Sequence, residues 1–278
     1  MIQLTGKPFF LIPLAVFFIV TSHVKAQEEF QPFLKTLEPY KRIGILNSWF
    51  LNEEGSDQGY ENDELLIQFS FKKQIYKNLF FAYSHKSFWQ IYDQNNSRPF
   101  RENDYNPEAF LEFEDFLRID TLRLGLTEHE SNGEKLHYDS EGNPVNNSRT
   151  WNRTYLYAMR DIGEIVRFGL KVWIVTDQDN DEYGSFREDN SDIQQYLGSG
   201  EIYLEMGRRP LYLALMLRRG WRDGTETFKI EGWIPLQYLF FDKDKGIDLY
   251  LQGFSGYGDS LLDYNRKIER FAIGFSFR

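Results

Sequence analysis

A histidine and a serine stand two residues apart in His129-Glu130-Ser131-Asn132-Gly133, and an amide follows in Ser148-Arg149-Thr150-Trp151-Asn152-Arg153. Side chains two apart on a strand share a face, so His129 would lie beside a hydroxyl it could deprotonate. Asn152, arriving from a second segment, could accept the imidazole N–H and hold the ring in one tautomer. Together they offer a nucleophile, a general base and an orienting residue, the parts needed for acyl transfer through Ser131. No Gly-x-Ser-x-Gly elbow surrounds that serine, so it must be mounted on something other than the turn soluble hydrolases use.

The elements that could mount it are strands. Residues 64–71, 79–90, 110–114, 121–131, 151–160, 164–176, 193–205, 210–220, 226–235, 246–253 and 267–277 read as strands, with a weaker one at 42–52. Ile67, Phe69 and Phe71 share one face of the first run. In the last run Phe271, Ile273, Phe275 and Phe277 alternate with Ala272, Gly274 and Ser276. A soluble sandwich shows the same period, so alternation leaves sandwich and barrel both open. Short connections at 160–163 and 207–209 read as turns, and long ones at 93–108, 132–150 and 177–192 as loops on the opposite side.

Composition narrows the choice. Residues 1–26 carry Lys7, an apolar run at 9–20 and Val24-Lys25-Ala26, the pattern of a cleaved secretory leader. We expect a short N-terminal arm at 27–38 and one barrel domain at 39–278. Mean hydropathy is −0.53 and no later segment reaches the length of a membrane helix, yet 17% of the chain is aromatic. That combination fits an antiparallel transmembrane β-barrel of about twelve strands, whose lumen and lipid faces average out and whose rims carry aromatic girdles. The net charge of −10 becomes −12 when Lys7 and Lys25 leave with the leader, which argues against a nucleic-acid partner. There is no cysteine, so this exported domain relies on its backbone ladder and packing.

The motifs occur in an order that resembles the outer membrane phospholipase A family. Tyr83-Ser84-His85-Lys86-Ser87-Phe88-Trp89-Gln90 looks like its third strand, and the run from Ser97 through Pro99 to Pro107 like the loop that follows. The His129–Gly133 and Ser148–Arg153 runs look like its active-site signature, and the run from Gly253 through Asp259 to Asn265 like its last loop. The resemblance implies a calcium-dependent esterase of the bacterial outer membrane that hydrolyses phospholipid and lysophospholipid acyl esters, active as a homodimer. It implies Ser131 as nucleophile, His129 as base and Asn152 as the residue that holds it. It also implies Gly133 as an oxyanion donor, and Ca2+ held by Glu134 and Ser148, with Ser97 supplied by the second subunit. Asp189 is a further possible ligand.

The chain departs from the family in particular places. The loop at 132–148 is longer, His85 replaces a glutamine, and the chain ends on Arg278 after Phe277. Strict alternation would also put Leu122, Leu124 and Leu126 opposite His129 and Ser131, although the family's site faces outward. A β-bulge near Thr127-Glu128 would bring them to one side. Asp177-Gln178-Asp179-Asn180-Asp181 mimics an EF-hand loop but has Glu182 where glycine is needed, and reads as a solvated loop. The alternatives are a non-enzymatic porin- or receptor-like barrel and a secreted carbohydrate-binding sandwich.

Overall fold

The computed structural model describes residues 36–52, 61–134, 137–138, 141–176, 190–208, 210–236 and 246–277. The chain divides into two units, Met1–Glu38 and Pro39–Arg278, and the second forms the barrel. Its strands are β1 (Ile43–Phe50), β2 (Asp63–Tyr76), β3 (Leu79–Trp89), β4 (Phe100–Phe116), β5 (Ile119–Ser131) and β6 (Thr150–Ile162). They continue as β7 (Val166–Val175), β8 (Gly200–Arg208), β9 (Leu211–Arg219), β10 (Glu226–Pro235), β11 (Ile247–Gly256) and β12 (Ile268–Phe277). Each pairs antiparallel with the next, and β12 pairs back onto β1 from Phe277↔Ile43 to Arg270↔Phe50. The sheet is therefore a closed barrel of 12 strands, as expected, and closure leaves no unpaired edge for lipid to meet.

Alternation along the strands sorts two environments. Ile45, Phe69, Phe168, Leu170, Val172, Ile174, Phe271, Ile273 and Phe275 are exposed on the outer wall. The lumen face holds charge. Arg101 donates through Nε to Glu64 at 2.9 Å and through Nη1 to Asp263 at 2.6 Å, while Arg270 reaches Asp259 at 2.7 Å. Glu128 is held by Lys171 at 2.9 Å and Arg153 at 3.0 Å. Apolar side chains fill in around these pairs, with Leu46, Leu66, Phe88, Tyr250 and Ala272 in one cluster. No described helix is long and apolar enough to cross a membrane.

Two segments differ from the sequence reading. Residues 93–108 are not one loop, because β4 already begins at Phe100. The segment looks loop-like because Glu102, Asp104, Asn106 and Glu108 alternate inward, and all four are buried in a lumen that accommodates polar groups. Residues 193–205 are not one strand either. Ile193–Leu197 forms a short helix, with Ile193 and Leu197 both buried at helical spacing, and β8 starts at Gly200. The run at 177–181 lies outside the described residues.

The connections at 90–99, 132–149 and 176–199 leave one end of the barrel, where the site-bearing ends of β5 and β6 also lie, and the 236–246 connection leaves the other. The register of β5 is broken there. Phe110 pairs with Gly125 while Ala109 pairs with Thr127, so Leu126 has no partner on β4. Towards β6, Gly125 faces Tyr155 and Glu128 faces Arg153, so Leu126 and Thr127 together oppose Thr154. This is a β-bulge, and it changes the parity of the strand. Before it Arg123 and Gly125 point into the lumen and Leu124 and Leu126 outward. After it Glu128 and Glu130 point inward and His129 and Ser131 outward.

Gly125 leaves room for the Tyr155 ring, since an added Cβ would lie 2.2 Å from that ring. The ring's hydroxyl donates to Glu108 at 2.7 Å, and Thr154 Oγ1 donates to the Gly125 carbonyl at 2.6 Å. Gly125→Val is expected to displace the ring from Glu108 and to cost about 1–3 kcal/mol by overpacking. The check is a lower urea midpoint for the barrel refolded in lipid vesicles. An unchanged midpoint would mean the wall absorbs the extra methyls.

Candidate active site

β5 and β6 are neighbours, and their register sets His129 directly across from Asn152 and Ser131 across from Thr150. His129 Nδ1 and Asn152 Oδ1 lie 2.7 Å apart. An amide oxygen can only accept, so the imidazole carries its proton on Nδ1 and presents a lone pair on Nε2. Ser131 follows two residues later on the same outward face. Its Oγ accepts the Gly133 N–H at 3.2 Å, and Gly133 adopts a φ of 69°.

The backbone around this set is tied down from several sides. Asn106 Nδ2 donates to the His129 carbonyl at 3.3 Å. Asn190 brackets Thr150, accepting its N–H at 3.1 Å and donating to its carbonyl at 2.9 Å, and the Thr176 N–H reaches the Asn152 carbonyl at 2.9 Å. Inside the wall, Glu130 accepts from Trp151 Nε1 at 2.9 Å and from Arg153 Nη2 at 3.1 Å. These tethers limit how far β5 and β6 can slide past one another. A lumen cavity of about 750 Å3 is lined by residues such as Arg42, Asp104, Glu128 and Tyr203, and by none of His129, Ser131 or Asn152. The set therefore sits on the outer wall, where a substrate would arrive from the side.

Gly133, Glu134 and Ser148 fall close together in the fold although a long excursion separates them in sequence. Asn132 joins the two ends of that excursion. It donates through Nδ2 to the Asn147 carbonyl at 2.7 Å, and its Oδ1 accepts the N–H groups of Glu134 at 3.2 Å and Arg149 at 3.0 Å. Among the described residues no group of three or more His, Cys, Asp or Glu could hold a metal. The remaining donors here are a main-chain carbonyl and a hydroxyl. All are oxygen, which suits a hard cation, but they are too few to enclose one without water or a second chain. Asp189 lies outside the described residues.

Ser97 occupies the β3–β4 loop with a φ of 62°, followed by Arg98 at 54°. Asp93 holds that turn. Its carbonyl accepts the Arg98 N–H at 2.8 Å and its carboxylate accepts from Asn96 Nδ2 at 2.8 Å and from the Asn95 and Asn96 N–H groups at 3.0 Å. Those donors, the Asn96 side chain foremost, hold the carboxyl below the usual carboxylate range. Among the described residues no hydrogen bond links Ser97 to Ser131, Glu134 or Ser148 of its own chain.

The outer wall beside the site is aromatic. The His85 ring stacks on Phe69 at 5.0 Å and meets Tyr105 edge-on at 4.9 Å. Its Nε2 lies 2.8 Å from Ser87 Oγ, which donates to Asn103 Oδ1 at 2.7 Å. Tyr105 is the cross-strand neighbour of Ser131, so this cluster runs up to that serine. Sequence reasoning assigned no role to Asn106, Asn132 or Asn190. For Asn132 the signal was its place beside Ser131, but the partners that give it meaning are 15 and 17 residues away.

A closed antiparallel barrel with an apolar wall and a charged lumen is the architecture of a bacterial outer membrane protein. The serine and histidine mounted on its outside set this one apart from a simple pore. The chain belongs to the phospholipase A1 family, whose model matches residues 22–277. A family relative from Neisseria meningitidis serogroup B is 34% identical over 238 residues, covering 77% of this chain; this chain spans about half (54%) of that relative's length. The phospholipase A1 of Salmonella typhimurium is 29% identical over 262 residues, 89% of this chain and 83% of that one. Among solved structures, outer membrane phospholipase A from Escherichia coli superposes with a TM-score of 0.70 at 26% identity, covering 87% of this chain and 92% of that one. The Salmonella typhi outer membrane phospholipase, a dimer with bound calcium, gives 0.71 at 27% identity with the same coverages. The chain is an outer membrane phospholipase.

Proposed function

We propose that the chain cleaves acyl esters of phospholipids and lysophospholipids by a serine esterase mechanism in which Ser131 attacks, His129 transfers the proton and Asn152 holds the imidazole. The observation that carries this reading is the 2.7 Å contact between His129 Nδ1 and Asn152 Oδ1, with Ser131 next on the same face. With Nδ1 committed, Nε2 takes the hydroxyl proton as Ser131 Oγ adds to the ester carbonyl. The same proton then passes to the departing alkoxide, leaving an acyl-serine. Water deprotonated by His129 releases the fatty acid. The Gly133 N–H, 3.2 Å from the nucleophilic oxygen, is within reach of the oxyanion that forms on the attacked carbon.

Glu134, through its carbonyl, and Ser148, through its hydroxyl, would hold Ca2+, with Ser97 of a second copy completing the set. When bound, the ion supplies positive charge beside the oxyanion. The scarcity of donors within one chain favours assembly of the site between two copies. An enzyme embedded in its own substrate gains safety from that requirement. The test is fatty-acid release from phospholipid–detergent micelles by refolded mature protein, with calcium and with chelator. Release only with calcium supports the reading, while release that survives chelation removes the ion from it. No release from folded, dimeric protein would return the chain to a non-enzymatic barrel.

Asn152→Ala is expected to lower kcat by about 10²–10⁴-fold, since the imidazole loses both its tautomer and its aim. Asn152→Asp keeps an acceptor in place and should recover much of that loss. Steady-state kinetics on both variants checks the pair. Equal damage from alanine and aspartate would mean Asn152 does not act by accepting the imidazole N–H.

A further inference from the structure

We propose that the Asn132 carboxamide is the positioning residue that sets the geometry of the calcium site, and so its affinity. The proposal rests on the calcium reading above. Asn132 is buried, only 3% exposed, at the point where β5 ends and the long excursion to β6 begins. Its side chain makes three hydrogen bonds, and each lands on the backbone next to a proposed ligand. The Glu134 N–H that Oδ1 accepts belongs to the residue whose carbonyl would face the ion. Ser148 lies between Asn147, whose carbonyl accepts from Nδ2 at 2.7 Å, and Arg149, whose N–H donates to Oδ1 at 3.0 Å. The main-chain N–H of Asn132 adds a fourth tie, to the Arg149 carbonyl at 3.1 Å.

One amide thus holds both ends of an excursion whose closure the chain would otherwise leave to entropy. The role needs an amide of this length. Two N–H groups must be accepted and one carbonyl donated to at the same time, which a carboxamide does and a carboxylate, having no donor, does not. Alanine or leucine would leave those two N–H groups and that carbonyl without their partner, and the segments would be free to separate and bond to water instead. Site oxygens that are held ready bind a cation more tightly than oxygens that must first be gathered.

The experiment is calcium titration calorimetry on refolded protein carrying Ser131→Ala, alone and with Asn132→Leu or Asn132→Ala. Heat-modifiable gel mobility confirms the barrel in each. Leucine keeps the volume but bonds to nothing, and alanine opens the space to water, so one tolerates what the other does not. The expected result is a rise in calcium Kd of at least about tenfold in the folded variants. In chains that retain Ser131, half-activating calcium should rise by the same factor and turnover should return as calcium is raised. An unchanged Kd with lowered turnover would overturn the proposal, because Asn132 would then act on the nucleophile. If the Asn132-containing parent binds no calcium, the calcium reading itself fails and takes this proposal with it. If the parent binds calcium and both variants match it, only this proposal falls.

Discussion

Ser131→Ala is expected to reduce fatty-acid release by about 10⁴–10⁶-fold while leaving the barrel intact, the loss seen when a serine hydrolase is deprived of its nucleophile. In barrier terms that is about 5–8 kcal/mol. Removing one oxygen from a wall-facing side chain breaks no buried network, since among the described residues the only hydrogen bond to Ser131 Oγ comes from the nearby Gly133 N–H. Stability should therefore be unaffected, and the loss is attributable to chemistry. His129→Ala should cost nearly as much, and the double variant no more than the worse single one, because the two groups act as one unit. The measurement is turnover on phospholipid micelles at saturating calcium, with folding followed by heat-modifiable mobility. A residual rate within tenfold of the parent would rule Ser131 out as nucleophile.

Deleting Leu126 and Thr127 together is expected to be nearly as damaging, although neither residue has a part in the chemistry. The pair opposes Thr154 alone, so one of the two is in excess of the ladder and the other belongs to it. Removing both takes out the extra residue and one rung, and a strand shifted by one residue presents every later side chain on the other face. His129 and Ser131 would turn into the lumen, away from lipid. Glu128 and Glu130 would turn towards the bilayer, stripped of Lys171, Arg153 and Trp151, at a cost of several kcal/mol. The strand then has two poor choices, to bury its nucleophile or to expose its acids. Activity should fall by about 10⁴-fold or more, as if the nucleophile were absent, and refolding yield should drop with it. Deleting Thr127 alone removes only the extra residue, so Leu126 meets Thr154 while His129 and Ser131 keep their outward face. That variant should stay within about tenfold of the parent, because an exposed side chain away from the site contributes little. Comparable loss in the single deletion would mean that the parity argument is wrong.

The bulge marks where sequence reading and structure divide. Twelve strands, their order and most of their limits follow from alternation bounded by polar turns, because a strand with one face in lipid and one in a lumen cannot hide its period. β10 was placed to the residue, at Glu226–Pro235. The reading failed where that contrast fades. The start of β4 carries acids on its lumen face, with Asn103 and Pro107 outward, so neither face looks apolar. The short helix before β8 is too brief to show a period against the strand that follows. The acyl-transfer set was legible as residue types, since His129, Ser131 and Asn152 fall at spacings that adjacent strands can pair. Asn132, Asn106 and Asn190 were not, because an asparagine means nothing until its partners are known.

The amino-acid sequence by itself determined an exported, cysteine-free, aromatic-rich chain of alternating strands that carries a histidine, a serine and an amide in workable order. Those are properties of local composition and of the two-residue period, and they survive without a third dimension. Only the tertiary structure decided on which side of the wall the set stands, since one unpaired residue at Leu126–Thr127 reverses the parity of all that follows. It also decided that the Asn152 oxygen meets His129 Nδ1, and that one buried amide at Asn132 draws the backbone at Glu134 to that at Ser148. Both depend on the register of β5 against β6 and on the closure of a long loop. Hydrogen bonds between distant segments set these, and no pattern along the chain records them.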